Sequence, residues 1–182
     1  MADGEIVWGY WRMNTNVPFL SSLNAPVVFI SASRDISDTL SASLGESALN
    51  ALRDQLTTGV TFHWVDGTGL VPNNGGDIIP ILDDSFIELA SKLGQSSINI
   101  AIKLNDFGEL QGHQNIALTD EGFETFLLDN IHLTHESCGS ACLEGGEMSG
   151  YYVGNDATAI MSLIDAWGDS VNYSGAGVFE RK

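Results

Sequence analysis

Cys138 and Cys142, with His132 and His135 just ahead of them, are the densest group of chemically able side chains in the 182-residue sequence. Two imidazoles and two sulfurs form a ligand set used by structural zinc. The spacing speaks against zinc, because Cys-x3-Cys lacks a second pair and the histidines precede it. The other chemistry is a disulfide between Cys138 and Cys142 within Ser137-Cys-Gly-Ser-Ala-Cys-Leu143, a turn of small residues. An even cysteine count beside a turn in a polar, acidic chain favours the disulfide and an exported protein. Closing so short a loop stabilises at the low end for such bridges. We expect the disulfide, with a Cys/His metal-binding domain as the alternative.

Catalysis has no visible address. Gly-x-Ser-x-Gly is absent, and no serine reads as sitting on a strand-to-helix elbow. Glu147 with Asp165, or Asp83 with Asp84, would make a carboxylate pair, yet nothing separates them from the other acidic residues. Gly67-Thr-Gly69 has neither the helix nor the lysine of a phosphate cradle. Asp106-Phe-Gly stands without the lysine strand and catalytic loop that would make it a kinase triplet, and reads as a turn. His63 falls on the polar side of its strand. The expectation is a protein with no catalytic residue, no metal and no cofactor.

Charge narrows the partners. Lys and Arg number 7 against 24 Asp and Glu, a formal charge of −17. Such a surface repels nucleic acid and anionic membranes, which leaves a protein partner or a small ligand. The calcium-loop pattern Asp-x-Asp-x-Asp-Gly is missing, and no apolar run reaches membrane-spanning length. Acidity of this degree suits an extracellular, cell-surface or periplasmic setting.

Strands must position whatever the chain uses. Ile98, Ile100, Ile102 and Leu104 alternate with Asn99, Ala101 and Lys103, a half-buried strand that pairs as a hairpin with Ser85 to Leu93. Val60, Phe62 and Trp64 share one face of another strand, with Thr61, His63 and Val65 on the opposite one. Weaker strands run from Glu109 to Leu118 and from Phe123 to Leu133. Three more close the chain: Glu147 to Val153, Ala157 to Asp165 and Tyr173 to Glu180. One helix is predicted over residues 43–56, where leucines recur at three- and four-residue spacing behind a Ser43-to-Glu46 capping box. The fold expected over residues 1–182 is a single all-β domain, an antiparallel eight-stranded up-and-down barrel with one short helix. An end strand needs a neighbour, so Ile6 to Trp11 is expected to pair with Ala176 to Glu180 and abolish both edges.

The order of motifs carries a resemblance. An early Trp8-Gly-Tyr-Trp11 precedes Thr58-Gly-Val-Thr-Phe-His-Trp-Val-Asp-Gly-Thr68 and the Ser85-to-Leu104 hairpin. A cysteine turn, Met148-Ser-Gly-Tyr-Tyr-Val-Gly-Asn-Asp-Ala157 and Gly175-Ala-Gly-Val-Phe-Glu-Arg181 follow. This resembles the C-terminal eight-stranded barrel of transferrin-binding-protein-like bacterial surface lipoproteins, also appended to some FecR-type proteins. The resemblance implies a non-catalytic binding or scaffold module of an exported surface or periplasmic protein, linked to iron or haem uptake. The helix over 43–56 departs from the short loop usual there. A lipocalin-like carrier of a small apolar ligand is the rival, and the two differ in whether the barrel is filled or hollow.

The uncompensated charge predicts that stability depends on salt. Self-repulsion is screened as ionic strength rises, so the melting temperature at neutral pH should climb from low to moderate salt. A flat or falling curve in calorimetry would show that local ion pairs outweigh net charge.

Overall fold

The computed structural model describes residues 6–11, 27–32, 54–56, 58–92, 95–116, 128–135, 143–153 and 158–181. The described strands are β1 (Ile6–Trp11), β2 (Val27–Ala32), β3 (Val60–Gly67), β4 (Val71–Pro72), β5 (Phe86–Lys92) and β6 (Gln95–Leu104). They continue as β7 (Gly108–Ile116), β8 (Leu128–His135), β9 (Leu143–Val153), β10 (Ala159–Gly168) and β11 (Asn172–Arg181). β3, β5, β6, β7, β8, β9, β10 and β11 pair antiparallel in that order, and β11 returns to β3. The result is a closed eight-stranded barrel, as the sequence leads one to expect.

Closure does not use the first strand. β1 pairs with β2, from Ile6 opposite Ala32 to Trp11 opposite Val27, as a separate two-stranded ribbon. The expected pairing of Ile6–Trp11 with Ala176–Glu180 is therefore incorrect. Edge pairing was the right constraint, but β1 satisfies part of it locally with β2. The last strand takes β3 and β10 as neighbours instead.

The ribbon still reaches the barrel, its backbone lying beside β11 and β10. There the wall is buried on both faces. Ile160 and Phe179 point into the core, while Ala159, Met161, Ala176 and Val178, of opposite parity, are buried outside it. A strand run buried residue after residue is one covered on both sides.

Period-two alternation fills the interior. Phe62, Ile87, Leu89, Ile98, Ile102, Leu110, Ile160, Ile164 and Phe179 are all 0 % exposed, so none of them borders a space wide enough for water. Leu56, ahead of β3, belongs to the same buried core, as do Leu70, Ile79 and Ile81 beyond it, tied by bridges Leu70–Ile79 and Ile81–Leu104. Burying each large side chain contributes roughly 1.5–3 kcal/mol.

Of the predicted helix over residues 43–56, the described residues include Asp54–Leu56, which are helical; the rest lies outside them. The helix ends as the sequence suggests. Thr58 N–H and its hydroxyl both donate to Gln55 O, Gly59 N–H donates to Leu56 O, and Gly59 takes φ +84.

The β3–β11 seam is built from side chain and backbone together. Val178 faces Asp66 and Phe179 faces Trp64, so Val65 is the extra residue of a β-bulge. Val65 and Asp66 are accordingly both exposed in succession. Past the bulge, Thr68 N–H donates to Ala176 O and Ala176 N–H donates to the Thr68 hydroxyl, at 2.8 and 3.0 Å. β4 then resumes pairing with β11 at Val71 and Pro72. The Trp64 ring lies over Gly67 and Gly177, where a Cβ on either would collide with it. Its edge meets Phe179 at 5.2 Å between centroids and 75° between planes.

Gly177→Val should therefore open the seam. Displacing Trp64 puts its cost at the top of the roughly 1–3 kcal/mol range for overpacking, or above it. The denaturation midpoint followed by tryptophan fluorescence should fall sharply, and an unchanged midpoint would contradict this packing.

Candidate functional site

With the interior filled, the surfaces left for a partner are the barrel's outer wall and its rims. Among the described residues, the outward side chains of β5 to β8 enclose a groove. Phe86 of β5 pairs with Ala101 of β6, Ala101 with Gln111 of β7, and Gln111 with Thr134 of β8. Ala101 supplies only a methyl group, while Phe86, Asn99, Gln111 and His113 surround it with longer side chains. The difference in length leaves an open groove of about 320 Å³, with Glu109 and Thr134 on its rim. That volume is at the small end for ligand clefts.

A hydrogen-bonded relay crosses three strands along one side of this groove. Asn99 Nδ2 donates to Glu88 Oε2 at 3.2 Å, and Asn99 Oδ1 lies 2.7 Å from His113 Nδ1. An ionised carboxylate only accepts, which fixes the amide nitrogen of Asn99 toward Glu88. Its oxygen then requires a proton on His113 Nδ1. Nearby, Gln111 Nε2 donates to Glu109 Oε1 at 2.9 Å. Register places these side chains, since Glu88 faces Asn99 and Asn99 faces His113 across successive ladders.

β8 contributes little to the wall beside the groove. β7 and β8 pair only from Leu110 to Gly112 with Leu133 to His135. Beyond Gly112 the strands diverge, and His113, Gln114 and Asn115 are exposed in succession.

The residues singled out in the sequence are scattered. Cys138 and Cys142, with the disulfide expected between them, lie outside the described residues. His63 sits half-buried on the outer face of β3. His132 is exposed, its Nδ1 3.5 Å from Glu147 Oε1. Glu147 and Asp165 do meet, directly opposite one another on β9 and β10. The Ser174 hydroxyl donates to Asp165 Oδ1 at 2.6 Å. Asp83 and Asp84 occupy the turn before β5, where Asp84 binds Lys103 Nζ at 2.6 Å. Asp106 turns β6 into β7 with φ 61. Among the described residues, no three His, Cys, Asp or Glu side chains gather as a metal site. Sequence reasoning missed Glu88, Asn99 and His113, for which only the outward parity of three neighbouring strands was a signal.

Two exposed pairs have shifted titrations. Hydrogen bonding to Lys103 holds the Asp84 carboxyl below its ordinary value, and the same bond raises Lys103. That bond contributes above the ordinary aspartate range and is lost as pH falls through the lowered value. Glu144 is raised, chiefly by a hydrogen bond with Asp169, then by desolvation and repulsion. Its raised value means the folded chain loses stability as pH climbs through it. Glu144→Gln keeps a donor for Asp169 and removes one charge. Its melting temperature should be slightly above that of the parent at neutral pH, and the gap should close below the ordinary carboxylate range. A gap unchanged with pH would show that Glu144 and Asp169 do not interact.

Comparison with protein-family models, curated proteins and solved structures finds no match to the chain.

Proposed function

We propose that the protein is a non-catalytic binding module of an exported bacterial surface or periplasmic protein, and that it binds through its outer wall. The observation that carries this reading is the filled barrel, whose buried core takes in Leu56 before β3 and Leu70, Ile79 and Ile81 after it. A carrier of the lipocalin kind needs a hollow interior with an open mouth. The groove around Ala101, with side chains already held by Glu88–Asn99–His113, is the surface prepared for a ligand. The exported setting rests on the formal charge of −17 and on the motif order resembling transferrin-binding-protein-like barrels. A link to iron or haem uptake rests on that resemblance alone, since no three His, Cys, Asp or Glu side chains gather as a metal site among the described residues.

A titration of the isotopically labelled protein with a mixed set of small polar, peptidic and apolar probes tests the reading. Amides of Ala101, Gln111, Gly112 and His113 should shift together. Those of Ile98, Ile102 and Ile164 should stay still. Shifts confined to the interior amides, induced by the apolar probes, would favour the carrier instead.

A further inference from the structure

The groove's chemistry narrows what it takes. We propose that it binds a neutral glycan, with the C–H face of a pyranose ring on Phe86 and Ala101 and its hydroxyls on Asn99, Gln111 and His113. The proposal rests on the outer-wall reading above and adds a ligand class to it.

Other classes fit the groove less well. Anionic ligands meet Glu88 and Glu109 beside it on a chain of charge −17, so phosphate, sulfate and sialic acid are repelled. A metal cation finds no cluster of three His, Cys, Asp or Glu side chains here among the described residues. An extended peptide docks by main-chain bonds to a free strand edge. At the groove floor, β6 is paired on both sides, with Phe86 and Gln111 opposite Ala101, so a peptide strand could add only along β7 beyond Gly112, off the floor. A wholly apolar ligand would strip water from the amides and the imidazole and return nothing, leaving each stripped donor or acceptor without a partner.

What remains is an uncharged molecule with apolar faces and a rim of groups that both donate and accept. Sugar hydroxyls do both, as the side-chain amides of Asn99 and Gln111 do. The relay from Glu88 through Asn99 holds His113 in place through its Nδ1 proton, so part of the ordering cost is met before binding. Phe86 and Ala101 lie side by side across a ladder and form an apolar strip.

The test is a printed array of neutral, sialylated and sulfated glycans, probed with the full chain tetramerised on streptavidin so that weak sites add through avidity. Hits are then titrated against the labelled monomer. Neutral oligosaccharides should bind and shift the amides of Ala101, Gln111 and His113. Asn99→Ala should weaken binding at least tenfold, and Ala101→Trp should abolish it with the melting curve retained. If Ala101→Trp does not fold, Gln111→Ala supplies the same comparison, again with at least a tenfold loss. Preference for sialylated or sulfated glycans, or binding indifferent to these variants, would overturn the proposal. An array silent to neutral glycans, while other small probes still shift the groove amides, would overturn the ligand class and leave the outer-wall reading standing. A groove silent to every probe would overturn both.

Discussion

One aromatic ring holds the barrel shut. Trp64 lies across Gly67 and Gly177, which face each other on β3 and β11, and its edge meets Phe179. The packing joins the first strand of the barrel to the last, two neighbours in the ring that stand at opposite ends of the barrel's chain. It depends on glycine in both places, because the indole occupies the volume where side chains would stand. The bulge at Val65 increases the local twist beside it, and Thr68 supplies by its hydroxyl the acceptor that Ala176 needs there. Every other ladder is drawn together by a connection along the chain, whereas this one relies on shape.

Filling the barrel has shifted where chemistry can occur. Side chains that alternate inward are spent on the core, and those that alternate outward are left to define surface character. The β1–β2 ribbon lies beside one sector of that surface, at β10 and β11, and the groove occupies another, across β5 to β8. A barrel of this kind works like a sheet with its reverse side permanently packed, and recognition depends on which outward residues neighbouring strands bring into register.

Much of this was legible in the sequence, for a physical reason. Ile98, Ile100, Ile102 and Leu104 alternate so cleanly that their face, their strand and their hairpin partner all follow. The same holds for Val60, Phe62 and Trp64. The unbroken small and apolar run Gly175-Ala-Gly-Val-Phe179 is that of a strand covered on both sides, although edge avoidance alone pairs it with β1. That error arose because edge avoidance says a strand needs a neighbour without saying which one. The groove was not legible at all. Glu88 and Asn99 are 11 residues apart, and Asn99 and His113 are 14. No local motif spans those separations. Their meeting is a product of ladder register, which emerges only once two hairpins are placed side by side.

Return to the seam between β3 and β11. The residues where the ring starts and stops, Phe62 and Arg181, are partners in one ladder, and Arg181 also donates to Gln55 at 2.8 Å. Entry to the ring and exit from it are thus the same place. The eight strands form a cycle that the covalent chain merely happens to cut there. A permuted chain joined across Gly59 and Arg181 and reopened at the Asn105–Phe107 turn would keep every ladder of the ring intact. By the same geometry, the chain before β3 and the chain after β11 leave the ring side by side.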